Sequence, residues 1–141
     1  MIGDKKIQPF NAGIYLHKRS HIFALALNQA FYYTIEFLWN NKALDKDKTD
    51  NSRVLVHAYC RCLDGQMVDA SGEITRKQLY NDYGDESNYT EIEFLTAAKV
   101  HAYIRAGLLE KPRRREIEQL VLHIQNNHVL YQPNFGQEHK Q

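Results

Sequence analysis

Ser20 to Leu27 reads Ser-His-Ile-Phe-Ala-Leu-Ala-Leu, and no other stretch limits the fold as tightly. Phe23, Ala24, Leu27, Ala30 and Phe31 recur at helical spacing, while Ile22, Leu25 and Ala26 fill most of the remaining surface. A helix that is apolar nearly all round has to be enclosed by other structure, so a central, buried helix is expected from Ser20 to about Phe31. Lys18-Arg19-Ser20 forms a polar corner before it. Ser20 is a good N-cap candidate, because a hydroxyl can accept a hydrogen bond from an unpaired N–H of the first turn. The same corner lies at the positive end of the helix dipole, where a developing anion is stabilised.

The elements around this helix follow from periodicity. Residues 1–19, with Gly3, Pro9 and Gly13, read as a loosely structured lead-in pinned by Ile14, Tyr15 and Leu16. From Tyr33 to Trp39, Tyr33, Ile35 and Phe37 alternate with Thr34 and Glu36, which favours a strand; a continued helix is the rival reading. Asn40 to Ser52 is charged and lacks apolar anchors, so it is expected to be a solvated loop, either a mobile flap or a linker. Arg53 to Cys62 reads as a strand, Asp64-Gly65 as a hairpin turn and Gln66 to Ala70 as the return strand, ended by Gly72. Thr75-Arg76-Lys77-Gln78 has the capping-box pattern and opens a short helix ending near Gly84. Thr90-Glu91-Ile92-Glu93 repeats the pattern, opening a helix expected to run to Gly107. Pro112 fits the first turn of a last helix, whose stripe is Ile117, Leu120, Val121 and Ile124. These elements add up to an α+β chain: a central buried helix on a small antiparallel sheet, with additional C-terminal helices.

A chain of 141 residues has the length for one domain with one sizeable core. The core is expected over about 15–126 and a polar tail over about 133–141. With 18 basic and 17 acidic residues, nothing in the overall charge draws the chain to nucleic acid or to a membrane surface. No transmembrane run is visible, and Met1 to Lys6 lacks the apolar core of a signal peptide. Cys60 and Cys62, two apart on one strand, are poorly placed for a disulfide and too few for a zinc site. Reduced thiols and a cytoplasmic setting are therefore expected. His101, His123 and His128 share no metal spacing, no glycine-rich phosphate loop is present, and no cofactor is expected. The basic run Lys111 to Arg115 has Glu110, Glu116 and Glu118 beside it and reads as a solvated helix end.

Three polar residues embedded in apolar surroundings suggest chemistry. The turn at Asp64-Gly65 puts His57 and Asp69 on adjacent antiparallel strands, within reach of an imidazole–carboxylate hydrogen bond. Such a bond fixes the tautomer and leaves the other ring nitrogen free to act as a base. A nucleophile would come from the N-terminus of the buried helix, and Ser20 stands there. Each residue has a plainer reading: Ser20 as a cap, His57 as a satisfied structural histidine, Asp69 as a turn former.

The order of these three features resembles the papain-like cysteine peptidase superfamily, in its small bacterial and phage members. Ser20 to Leu27 resembles the nucleophile helix. Val56-His57-Ala58-Tyr59, Asp64-Gly65 and Val68-Asp69-Ala70-Ser71-Gly72 resemble the hairpin that carries base and carboxylate. The likeness covers about residues 15–84. It implies a central helix against an antiparallel sheet, a catalytic set of Ser20, His57 and Asp69, and peptidase, amidase, deamidase or acyl-transfer chemistry on a protein or peptide. The family's thiol position is occupied by a hydroxyl here, which is much more weakly ionised. An inactive descendant, a Cys→Ser substitution that traps substrate and a working serine variant are the competing explanations. The alternative is an interaction protein of phage or mobile-element origin that binds a protein partner in the former catalytic groove.

Overall fold

The computed structural model describes residues 10–40, 54–83 and 90–133. A 3-10 turn, Ala12–Leu16, leads into helix α1, Ser20–Phe31. Strands β1, Thr34–Asn40, β2, Val54–Arg61, β3, Met67–Asp69, and β4, Gly72–Ile74, follow. Then come helix α2, Arg76–Tyr83, strand β5, Thr90–Leu95, and helix α3, Ala97–Arg105. Helices α4, Glu116–Asn126, and α5, His128–Tyr131, complete the described residues. The five strands form one antiparallel sheet in the order β4-β3-β2-β1-β5, so the chain is α+β.

The helix at the centre is where the sequence puts it: every residue of α1 from Ser20 to Leu27 is buried. It ends because Tyr32 adopts a left-handed conformation and donates its N–H to Asn28 O at 2.8 Å, a common helix stop. Side chains alternate across a strand, and the sheet uses both faces. Ile35, Phe37 and Trp39 of β1 and Ala58 and Cys60 of β2 join the α1 core, which α4 supplements with Leu120 and Ile124. Leu38, Tyr59 and Met67 point the other way and pack with Leu79 of α2. Each fully buried Leu, Ile or Phe contributes about 1.5–3 kcal/mol, so the α1 face is the larger source of stability.

Several boundaries differ from the sequence reading. Thr90 does not open a helix: Thr90–Leu95 is strand β5, and the helix after it is capped by Thr96, whose Oγ1 accepts from Lys99 N–H at 3.2 Å. The reason is the outer side of β1, whose residues 35–39 are wholly buried and need ladder partners that β5 supplies. Glu93 of β5 also accepts from Trp39 Nε1–H at 2.8 Å and from the Tyr103 hydroxyl at 3.0 Å. Gly72 does not end the hairpin; at φ +105 it starts β4. Pro112 lies ahead of α4, which begins at Glu116 after Arg115 in a left-handed conformation. The short α5 has no counterpart in the sequence reading, and its fully buried Tyr131 carries the core past residue 126. The expected loop from Asn40 to Ser52 lies, beyond Asn40 itself, outside the described residues. The tail from 134 onward does as well. The capping box at Thr75 is present: Gln78 N–H donates to Thr75 Oγ1 at 3.1 Å and Thr75 N–H to Gln78 Oε1 at 2.8 Å.

Gly72 offers a check on how α5 seats. A Cβ there would lie 2.8 Å from Leu130 Cδ1, at a backbone angle that side chains resist. Gly72→Ala is expected to lower stability by about 1–3 kcal/mol in urea unfolding. An unchanged midpoint would contradict this packing of α5 on β4.

Candidate functional site

Ser20 is the first residue of α1 rather than its cap. Arg19 occupies the cap position and no side chain caps the helix. The hydroxyl is used elsewhere: Ser20 Oγ accepts from the Ala58 N–H of β2 at 3.0 Å. The sheet explains why that N–H is available. Strand β3 pairs with β2 only at Cys60 and Arg61, and Cys62 N–H reaches back to Gln66 O at 2.7 Å. Ala58 N–H points to the same side, beyond the end of the β3 ladder, and Ser20 takes the place of the missing strand residue.

His57 is the neighbour of Ala58 and is fully buried. Its Nε2 and Asp69 Oδ2 lie 2.8 Å apart. Asp69 Oδ1 in turn accepts from Ser71 N–H at 2.8 Å and from the Ser71 hydroxyl at 2.6 Å, which fixes the carboxylate in its turn. The pair thus spans the hairpin, between adjacent antiparallel strands. By strand alternation His57 leaves the sheet on the face away from the body of α1, with Tyr59 and not with Ala58. The expected meeting of the helix hydroxyl with the imidazole on the helix side of the sheet is therefore not found: Ser20 bonds to the backbone of the adjacent residue, where the β3 ladder ends. Its hydrogen bond is to that backbone and not to the imidazole. Ser20 and Asp69 are each 2% exposed, so all three groups are screened from water.

The corner ahead of Ser20 is braced by residues the sequence did not single out for this role. The Arg19 guanidinium is buried and pairs with both Glu116 oxygens and with Glu110 Oε1, the last at 2.7 Å. Tyr15 donates to Glu116 Oε2 at 2.6 Å, and Arg113 N–H to Oε1 at 2.8 Å. His21, fully buried, holds Glu110 O through Nε2 at 2.7 Å. Because that carbonyl only accepts, Nε2 carries a proton. Burial is the main reason its basicity is lowered, with nearby Arg19 adding to the effect. Glu116 keeps its charge below the usual carboxylate range, its hydrogen bonds from Arg19 and Tyr15 outweighing burial, while burial and Glu116 push Tyr15 up to about 12. Partners some ninety residues apart leave no local signal.

The other candidate groups fall into structural roles. Cys60 and Cys62 are free and buried, Cys60 Sγ donates to Ala24 O at 3.3 Å, and burial raises both thiols. Neither is a thiolate nucleophile at neutral pH. His123 stacks on Phe10 with ring centroids 3.8 Å apart and contacts the Tyr131 hydroxyl. Among the described residues no cluster of three or more His, Cys, Asp or Glu is arranged to hold a metal, and no helix is long and apolar enough to cross a membrane. Two clefts open near the site. One, of about 330 Å³, adjoins Asp69 and Ser71; the other, of about 370 Å³, adjoins His17 and Lys18. No known protein family, curated protein or solved structure matches the chain.

The brace predicts a two-stage acid response. His21 and His123 are harder to protonate in the fold than at the ordinary 6.5, so the unfolded chain takes up protons first and stability falls as pH drops below 6.5. The Glu116 contribution is present above its ordinary 4.5 and is lost as pH falls below it toward the depressed folded value. Thermal melts between pH 8 and pH 3 should show both declines, the lower one reduced in Glu116→Gln. A melting temperature that stays flat through the upper window would contradict the lowered basicity of buried His21.

Proposed function

We propose that this chain is a papain-like hydrolase or acyl-transfer scaffold in which Ser20 holds the nucleophile position, His57 is the base and Asp69 orients the base. In its Ser20 form the scaffold is silent as a thiol enzyme. One observation supports the reading: the Ser20 hydroxyl rests on the N–H of Ala58, the residue after His57, whose Nε2 is held by Asp69. A group there sits at a helix N-terminus and faces a backbone donor, and both favour an anion. A hydroxyl uses that donor only as a neutral acceptor and needs full base assistance to ionise. A thiol in its place would be drawn toward thiolate. The substrate class is an amide, ester or thioester carbonyl of a protein or peptide. Free buried thiols fit a reducing, cytoplasmic compartment.

The burial of Ser20, His57 and Asp69 favours a second reading, a non-catalytic interaction protein of phage or mobile-element origin. In that reading the hydroxyl is a ladder-completing acceptor, and a protein partner binds the groove above it.

Ser20→Cys separates the two. The introduced thiol is expected to react with iodoacetamide near pH 7 on the order of tenfold faster than Cys60 or Cys62. Peptide mass mapping of the folded protein reads the three sites apart. His57→Ala in the same background should remove most of the advantage, and Asp69→Ala part of it. An introduced thiol no faster than the two strand cysteines would leave the interaction reading.

A further inference from the structure

The sheet face that carries His57 also holds a buried ionic cluster with no part in the chemistry above. Glu36 of β1 is fully buried and stands opposite Tyr59 of β2 in register. The Tyr59 hydroxyl donates to Glu36 Oε1 at 2.8 Å, and the Arg61 guanidinium binds both carboxylate oxygens through Nε and Nη2. Arg61 Nη1 is itself tied to Gly65 O, in the hairpin turn, at 2.8 Å. Tyr59 lies two residues from His57 on the same strand face. The rings stack with centroids 5.9 Å apart and planes 23° from parallel.

We propose that Tyr59, locked by Glu36 and Arg61, is a positioning residue that holds the His57 imidazole and supports its protonated form; this rests on the papain-like reading. A tyrosine filling space could satisfy its hydroxyl on a backbone carbonyl. Here it donates to a carboxylate taken wholly out of water, an expensive partner unless it is well paired. A phenol donating to an anion has a more electron-rich ring, and that ring lies within cation–π distance of His57. The line Arg61–Glu36–Tyr59 thus steadies the imidazole on one side while Asp69 fixes Nε2 on the other. The charged groups around the pair are Asp69 of β3, Glu36 of β1, Arg61 of β2 and Arg76 at the start of α2, whose charge is felt at Tyr59. When a nucleophile gives its proton to His57, the imidazolium forms against a face prepared for positive charge.

The test uses the full chain in two backgrounds. In Ser20→Cys, Tyr59→Leu should slow iodoacetamide alkylation of the introduced thiol at pH 6 about 3- to 10-fold and move its pH profile upward. Tyr59→Phe, which keeps the ring face and loses the hydroxyl, should fall between. In the Ser20 chain, NMR of the His57 ring should show the Nε2 proton held by Asp69 exchanging faster with water in Tyr59→Leu, whether or not position 20 is a nucleophile position. Glu36→Gln, milder in the fold, should move both readouts the same way by less. If the ring proton exchanges faster but the introduced thiol is no faster than Cys60 and Cys62, the hydrolase reading falls and the Tyr59 coupling stands. If the variants fold and neither the thiol profile nor the ring-proton exchange changes, Tyr59 is only packing and the proposal is overturned.

Discussion

Burying the first turn of α1 is the constraint from which the rest of the site follows. A helix start leaves unpaired backbone donors, and this one also brings a hydroxyl, an imidazole and a guanidinium out of water. Each must find a partner, since a buried polar group without one costs about 1–3 kcal/mol. The solutions come from distant parts of the chain. Ser20 completes the ladder on Ala58, His21 takes the carbonyl of Glu110, and Arg19 is neutralised by Glu110 and Glu116. These three attachments tie the helix corner to the middle of the sheet and to the segment entering α4. They leave Ser20 little freedom of position.

The same sheet presents a different environment on each face. Ala58 and Cys60 meet the apolar flank of α1, whereas His57 and Tyr59 sit over a polar cluster closed by Leu79 of α2. Where β3 stops short of Ala58, the Ser20 hydroxyl takes the vacant ladder position. In low-dielectric surroundings the Asp69 and Glu36 charges act strongly on groups this near, which makes ring placement matter more than it would at the surface.

Much of this was legible in the chain itself, because the signals are local. The continuous apolar surface of 20–31 required burial, alternation located β1 and β2, and Asp64-Gly65 set the register that joins His57 to Asp69. What escaped was decided at long range. Thr90-Glu91-Ile92-Glu93 carries both a capping-box pattern and a period-two alternation. The unpaired side of β1 selects the strand. Ser20 has the chemistry of a cap, but a nearby ladder end competes for the same oxygen. The bracing of Arg19 by Glu110 and Glu116 depends on the path of the chain after α3. Within residues 111–115 the sequence shows only a basic run among acids.

The proposed hydrolase function requires position 20 to favour an anion, and to do so through His57. Thiolate absorbance near 240 nm, followed through a pH titration of folded Ser20→Cys, measures this directly. The account predicts a new thiolate with a midpoint below the free-cysteine value of about 8.5, shifted upward when His57→Ala is added. A midpoint at or above that value, unchanged by His57→Ala, would contradict it and leave Ser20 as a buried acceptor that ends a strand ladder.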